Sequence, residues 1–210
     1  MIIAEENADS TAFLGWWVDI SAGSLRLSRE NRHTSVLNTM TLRFLDSSDL
    51  TAYRDLRLAA LQESPTAFGS SYAEEAKLPL TELADRLNPP NKPDNGVLGA
   101  FVDDGQLVGT LGFAREYRVK RAHNALIWGM YVSPEFRRQG FGAALVDEAI
   151  AHARRLGSLR QIILSVTANN MAAGALYRSR GFERIGLERD ALCIDGQYFD
   201  EEQLTLSLKR

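Results

Sequence analysis

Apolar and polar positions along the chain follow two alternating periods. Met40-Thr41-Leu42-Arg43-Phe44-Leu45 alternates with period two and predicts a strand. The polar run Asp46-Ser47-Ser48-Asp49 offers N-cap oxygens, and Leu50, Tyr53, Leu56, Ala60 and Leu61 follow at helical spacing. Ser64-Pro65 closes that helix, because the residue before proline is driven out of the α region. A second helical stretch over 71–87 is broken at Pro79, with Leu80, Leu83 and Leu87 on one face. Strands are predicted at 97–102 and 107–114 around the turn Asp103-Asp104-Gly105, and again at 125–132. Phe141, Leu145, Ala149, Ala153 and Leu156 form the stripe of a helix over 141–156, which Gly157 ends. An almost wholly apolar strand at 161–166, a helix at 171–180 and a hairpin, 187–194 and 197–208 around Asp195-Gly196, complete the chain. The order β-α-α-β-β-β-α-β-α-β-β is that of a mixed α/β layer.

Residues 1–39 lack a sustained period. Ser, Thr and Asn dominate 28–39, so 1–39 read as a poorly ordered N-terminal extension, with one domain over 40–210 beginning at the Met40 strand. A docking tail anchored by Phe13, Trp16 and Trp17 is the competing reading. The longest apolar run near the start, 12–18, is far short of the about 20 residues that a spanning helix needs. With no basic lead-in either, the chain is expected in the cytoplasm, without membrane partners.

Composition narrows the function. The 24 basic and 27 acidic residues give a net charge of −3, which offers no electrostatic case for nucleic acid. The single cysteine, Cys193, permits neither an internal disulfide nor a thiol-rich metal site, and no metal is expected.

Two segments carry chemistry. In Arg137-Arg138-Gln139-Gly140-Phe141-Gly142 a loop after a strand delivers two glycines into a helix start. Unpaired helix N-terminal amides beside two arginines suit a diphosphate, although a glycine turn with solvated arginines has the same sequence. No Gly-Lys-Ser/Thr follows, and the glycine spacing fails the dinucleotide pattern, so the diphosphate would belong to another cofactor. In the second segment, Asn170 stands at a strand-to-helix junction and Tyr177 lies seven residues on, about two turns, on a related face. Small residues, Ala172 to Ala175, leave room beside that helix. Alone, Asn170 could be a cap and Tyr177 a core aromatic.

Together, in this order, Met130-Tyr131-Val132, the loop 137–142 and Asn170-x-x-Ala173-x-x-Leu176-Tyr177 ending in Gly181-Phe182 resemble the GNAT superfamily of acetyl-CoA-dependent N-acetyltransferases. The resemblance covers about 40–210. It implies a mostly antiparallel mixed sheet with helices on both faces and a parallel, splayed central pair, here 125–132 and 161–166. It also implies that backbone groups of Met130, Tyr131 and Val132 pair with the pantetheine arm of acetyl-CoA. The stretch Arg137, Arg138, Gln139, Gly140, Phe141 and Gly142 would hold the diphosphate, Asn170 would bond the arm, and Tyr177 would protonate the departing thiolate. Glu116 and His123 are the candidate general bases, with Glu116 preferred.

The expected reaction is acetyl transfer to the primary amine of a small molecule or amino acid. A protein N-terminal or lysine acetyltransferase and a non-catalytic acyl-CoA-binding module are the alternatives. The acceptor surface is expected from the first two helices and the 188–196 hairpin region. A homodimer is permitted through the alternating Leu204, Leu206 and Leu208.

Overall fold

A computed structural model of the protein describes residues 17–21, 24–30 and 37–208. Among these, nine strands form a single sheet: β1 (Trp17–Ser21), β2 (Ser24–Glu30), β3 (Leu37–Phe44), β4 (Gly96–Phe101), β5 (Leu107–Arg115), β6 (Asn124–Val132), β7 (Gln161–Thr167), β8 (Glu183–Ile194) and β9 (Gln197–Ser207). Their order is β1-β2-β3-β4-β5-β6-β7-β9-β8. Every neighbouring pair is antiparallel except β6 and β7, which run parallel.

The helices are α1 (Leu50–Glu63), α2 (Tyr72–Glu75), α3 (Leu80–Leu87), α4 (Phe141–Arg155) and α5 (Met171–Ser179). On one face of the sheet, Leu145, Val146 and Ala149 of α4 and Tyr177 of α5 pack with Val108, Phe113, Ile162, Leu164 and Leu204. On the other face, Tyr53 of α1 and Leu83 and Leu87 of α3 pack with Leu45, Val97, Phe101 and Leu107. Both layers take their apolar stripe from the spacing that predicted the helices.

Three element boundaries differ from the sequence expectation. Residues 17–21 and 24–30, placed in a poorly ordered extension, form β1 and β2, and β2 pairs with β3, which begins at Leu37 rather than Met40. Leu27 is buried against Met40, its cross-strand partner, so a short alternation inside polar surroundings is enough to extend the sheet. Phe13 and Trp16, two of the three anchors of the alternative docking tail, lie outside the described residues. The last hairpin begins at Glu183, where the exposed pattern Glu183-Arg184-Ile185 hides a strand. Finally, β9 pairs with β7 over 201–207 and with β8 as far as Thr205, with Leu204 and Leu206 buried, so the alternation at Leu204–Leu208 serves the core. The free edge at that end of the sheet is that of β8.

Candidate active site

The site is organised by an irregularity in β6. Thr110 pairs with Tyr131 but Gly112 pairs with Trp128, so β6 carries one extra residue, a bulge. Gly129 sits there at φ +60°, a conformation glycine enters without steric cost. The extra residue reverses the alternation. Ala125 and Ile127 join the α4/α5 core, Trp128 packs on the α1/α3 side, and beyond the bulge Val132 returns to the α4/α5 core while Tyr131 packs on the α1 side. Gly112 gives up its side chain to Trp128, whose ring atoms would lie 2.1 Å from a Cβ.

β6 and β7 pair only through Asn124–Gln161, Ala125–Ile162 and Leu126–Ile163. Beyond Leu126 and Ile163 they share no pairs, which leaves between them the gap expected of a splayed parallel pair. Of the three residues expected to line it, Met130 is half-buried, while Tyr131 and Val132 are buried. The Val132 carbonyl already accepts a bond from Arg137 Nε at 2.9 Å.

The loop after β6 ends at Gly140, with φ +96°, which precedes α4 and supplies no side-chain cap. The first-turn amides of Phe141, Gly142 and Ala143 therefore have no side-chain acceptor there, and the helix dipole favours an anion at that end. The side chains nearby divide the work unevenly. Arg138 and Gln139 are exposed, with Arg138 at φ +60° and Gln139 donating to the Glu135 carbonyl at 2.7 Å. The Phe141 ring is buried edge-on to Phe136, so Phe141 offers only its amide. A Cβ on Gly142 would lie 3.3 Å from Leu176, so this glycine lets α4 sit close to α5.

Arg137 departs from the expectation of a free cation. Its guanidinium is held by both carboxylate oxygens of Glu63 at the end of α1, at 3.0 and 2.6 Å, and lies over the Tyr131 ring. The Arg137 bond in turn holds the Glu63 carboxyl below its usual range. Arg137 thus ties the loop to α1, and Arg138 is the arginine left to face a ligand.

On α5, Asn170 is the N-cap, its Oδ1 accepting from Ala173 N–H at 3.1 Å, so only its amide NH2 group remains for a ligand. Tyr177 is buried, its ring edge-on to Phe182, and its hydroxyl donates weakly to Met130 Sδ at 3.7 Å. Burial pushes its phenol well above the ordinary value, so it holds its proton at any neutral pH. Here the two motifs meet: Tyr177 of α5 reaches the strand of Met130 beside the gap.

Glu116 and His123 are not brought to this place. The Glu116 amide donates to the carbonyl of Asn124, at the start of β6, and the His123 carbonyl accepts from Arg160 just before β7. From Asn124 to Met130 is six residues of strand, about 20 Å. Arg118 and, beside it, Arg121 pair with the Glu116 carboxylate and hold its pKa down, which suits a surface ion pair and not a base. A cleft of about 500 Å³ lined by Phe44, Asp46, Asn88, Asn95 and His152 shares none of the residues assigned to the gap or the loop.

The face of the sheet under α1 holds residues that sequence reasoning missed. The segment 65–67 crosses it, its Thr66 carbonyl accepting from the Thr167 hydroxyl at the end of β7. Glu201 is the cross-strand partner of Thr167 and also of Glu188, so it shares that face and that end of the sheet. Burial first, and the Glu188 charge second, push the Glu201 carboxyl upward. Arg57 of α1 and Glu75 of α2 form a buried pair through Arg57 Nε and Nη2, at 3.1 and 2.7 Å, and Arg86 of α3 reaches the same carboxylate at 2.9 Å. Burial penalises the Glu75 charge, but the two guanidinium groups outweigh it and its pKa falls. No local pattern marks these residues, because each partner lies on another element; only the expectation that the first two helices and the last hairpin build the acceptor surface pointed toward them.

A sheet opened between two parallel strands, with a helix start lacking a side-chain cap after one of them and a buried phenol from α5 beside it, defines a mixed α/β protein of the splayed-sheet class. The family model described as the acetyltransferase (GNAT) family matches residues 58–182, more than half of the chain, and the chain belongs to that family. A mycothiol acetyltransferase of Geodermatophilus obscurus is 43% identical over 58 residues, 28% of this chain and 18% of that protein. The N-alpha-acetyltransferase RimI of Mycobacterium tuberculosis is 36% identical over 104 residues, 50% of this chain and 62% of that protein. The chain thus spans less than two thirds of either curated relative. The structure of yncA from Salmonella typhimurium with its cofactor acetyl-CoA shares the fold, with a TM-score of 0.66 at 20% identity over 81% of this chain and 95% of that one.

Proposed function

We propose that this protein is an acetyl-CoA-dependent N-acetyltransferase acting on a primary amine. The observation that carries this reading is the convergence of Tyr177 and Met130 beside the β6/β7 gap, with the uncapped start of α4 following the same strand. Acetyl-CoA would supply the acetyl group as a thioester. The α4 amides, with Arg138, would hold its diphosphate, and the open edge of β6 from Met130 to Val132 would pair with its arm as an added strand. The Asn170 amide NH2 would bond the arm beside α5.

With both reactants in one cleft, attack is effectively unimolecular. A bond forms from the amine nitrogen to the acetyl carbon while the carbon–sulfur bond breaks. A backbone amide near the β6 bulge would meet the charge developing on the carbonyl oxygen. Tyr177 would give its proton to the departing sulfur and regain one as the new amide nitrogen sheds its second proton. Glu201 would take the proton from the acceptor's ammonium, directly or through water, because its raised proton affinity brings it nearer neutral pH.

An amino acid or other small amine was the acceptor expected from the near-balanced charge. The relative named an N-alpha-acetyltransferase supports a polypeptide α-amine equally well. A free amino acid and a polypeptide N-terminus share the α-amine. The test is thiol release from acetyl-CoA in the presence of amines, for the native protein and for Tyr177→Phe. Loss of the acid should slow turnover by about 10²–10⁴-fold with CoA affinity retained. Tight CoA binding with no turnover on any amine would favour the binding-module reading instead.

A further inference from the structure

The side chain of Arg57 is 7% exposed, and its Nη1 is buried with no hydrogen-bond partner. The other two such nitrogens among the described residues, Arg54 Nε and Arg115 Nε, belong to side chains that are less buried. Buried donors in folded proteins are almost always paired with protein, water or ligand, so an orphaned guanidinium nitrogen calls for an explanation.

Its geometry supplies one. Glu75 takes the Nε–Nη2 edge, and the Phe68 ring covers the guanidinium 4.6 Å away. Nη1 points the other way, toward the β6 bulge, where it would lie 3.7 Å from a Cβ on Gly129. Gly129 has none, which leaves about the room of one methyl group between the nitrogen and the strand. Charge leads to the same place: the one carboxylate of Glu75 is shared by two guanidinium groups, which leaves a net positive charge in this cluster. The wall that carries Arg57 is α1, on the sheet face crossed by the 65–67 segment.

We infer that Arg57 Nη1 is a hydrogen-bond donor to an oxygen of the acceptor, and that the acceptor is therefore an α-amino acyl compound, with a carbonyl or carboxylate oxygen on the carbon next to the amine-bearing one. A simple alkylamine would leave Nη1 unpaired in the productive complex, and sites built to bond a polar group reject analogues that lack it far more strongly than apolar pockets do. Both a free amino acid and a peptide N-terminus carry this oxygen.

This inference rests on the acetyltransferase reading, and one experiment separates the two. Acetylation of alaninamide is compared with that of 2-aminobutane, the same skeleton without the carbonyl, by the native protein and by Arg57→Lys, with kcat/KM referred to the free-amine concentration because the amide makes alaninamide the weaker base, while CoA binding is titrated in parallel. The native protein should prefer alaninamide by about a hundredfold or more in kcat/KM. Arg57→Lys, which keeps the charge but loses the fork, should reduce that preference to less than tenfold with CoA affinity unchanged. Equal use of both amines by the native protein overturns the inference without any variant, so a misfolded variant does not shelter it. A preference that survives in a folded Arg57→Lys also overturns it, as does an equal loss on both amines, which would mark Arg57 as structural or as a donor to the acetyl oxygen. Acetylation of neither amine, nor of alanine or an alanine-initiated peptide, would sink the acetyltransferase reading itself. Alanine against that peptide distinguishes a carboxylate from a peptide carbonyl as the oxygen bound.

Discussion

Tyr177 and Glu201 are opposite in what burial does for them. For the phenol, burial removes any tendency to ionise and keeps it a proton donor. For the carboxyl, partial burial beside Glu188 raises proton affinity and makes it a better proton acceptor than Glu116, whose arginine partners do the reverse. Glu201→Gln should therefore slow acetylation and remove the rise in kcat/KM with pH that titration of Glu201 produces in the native protein. An unchanged pH–rate profile would clear Glu201 of the role. Stability should move in the opposite sense. A carboxyl whose pKa is raised on folding stabilises the fold at low pH, and that contribution is lost as pH rises through the folded value. Glu201→Gln should thus raise the urea midpoint at neutral pH, measured beside activity.

At the scale of elements, the acceptor-side wall depends on one buried carboxylate. Glu75 holds α1 and α3 to α2 through Arg57 and Arg86. Its pKa is lowered in the fold, so it stabilises the protein above the usual glutamate range, and that contribution is lost as pH falls through the folded value. Glu75→Gln should cost about 3–5 kcal/mol at neutral pH by leaving the buried Arg57 and the half-buried Arg86 without their partner, and denaturant melts at pH 7 and below pH 4 should show the difference shrinking in acid. The elements themselves were largely legible. Periodicity marked the helices α1, α3, α4 and α5, and Asp46, Pro65, Pro79 and Gly157 marked ends. What was not legible was long-range. The β6 bulge has no signal beyond a glycine in a strand, and β1 and β2 escaped notice because each alternation is only two apolar residues long, Val18 and Ile20 in one and Leu25 and Leu27 in the other. For the candidate site, the loop and the Asn170–Tyr177 helix were readable because each is contiguous. Arg137 could not be read as tied to Glu63, nor Glu116 as remote, because both facts depend on which ends of strands come together.

Across the whole molecule, two walls meet at one opening. α4, α5 and the loop after β6 form the wall assigned to the cofactor. α1, the 65–67 segment and the β8/β9 hairpin form the wall assigned to the acceptor, and the Arg137–Glu63 bond joins the two. The bulged β6 lies between them, open toward β7 on one side and beneath Arg57 on the other. The central claim is that this opening takes acetyl-CoA with its diphosphate on the start of α4. Calorimetric titration of the full chain with acetyl-CoA and with CoA tests it most directly, together with Arg138→Glu, which reverses the charge of an exposed side chain at that helix start. The account predicts one site per chain with micromolar affinity for both ligands, weakened at least tenfold in a variant that melts like the native protein. No binding of either ligand, or equal binding by the variant, would contradict it.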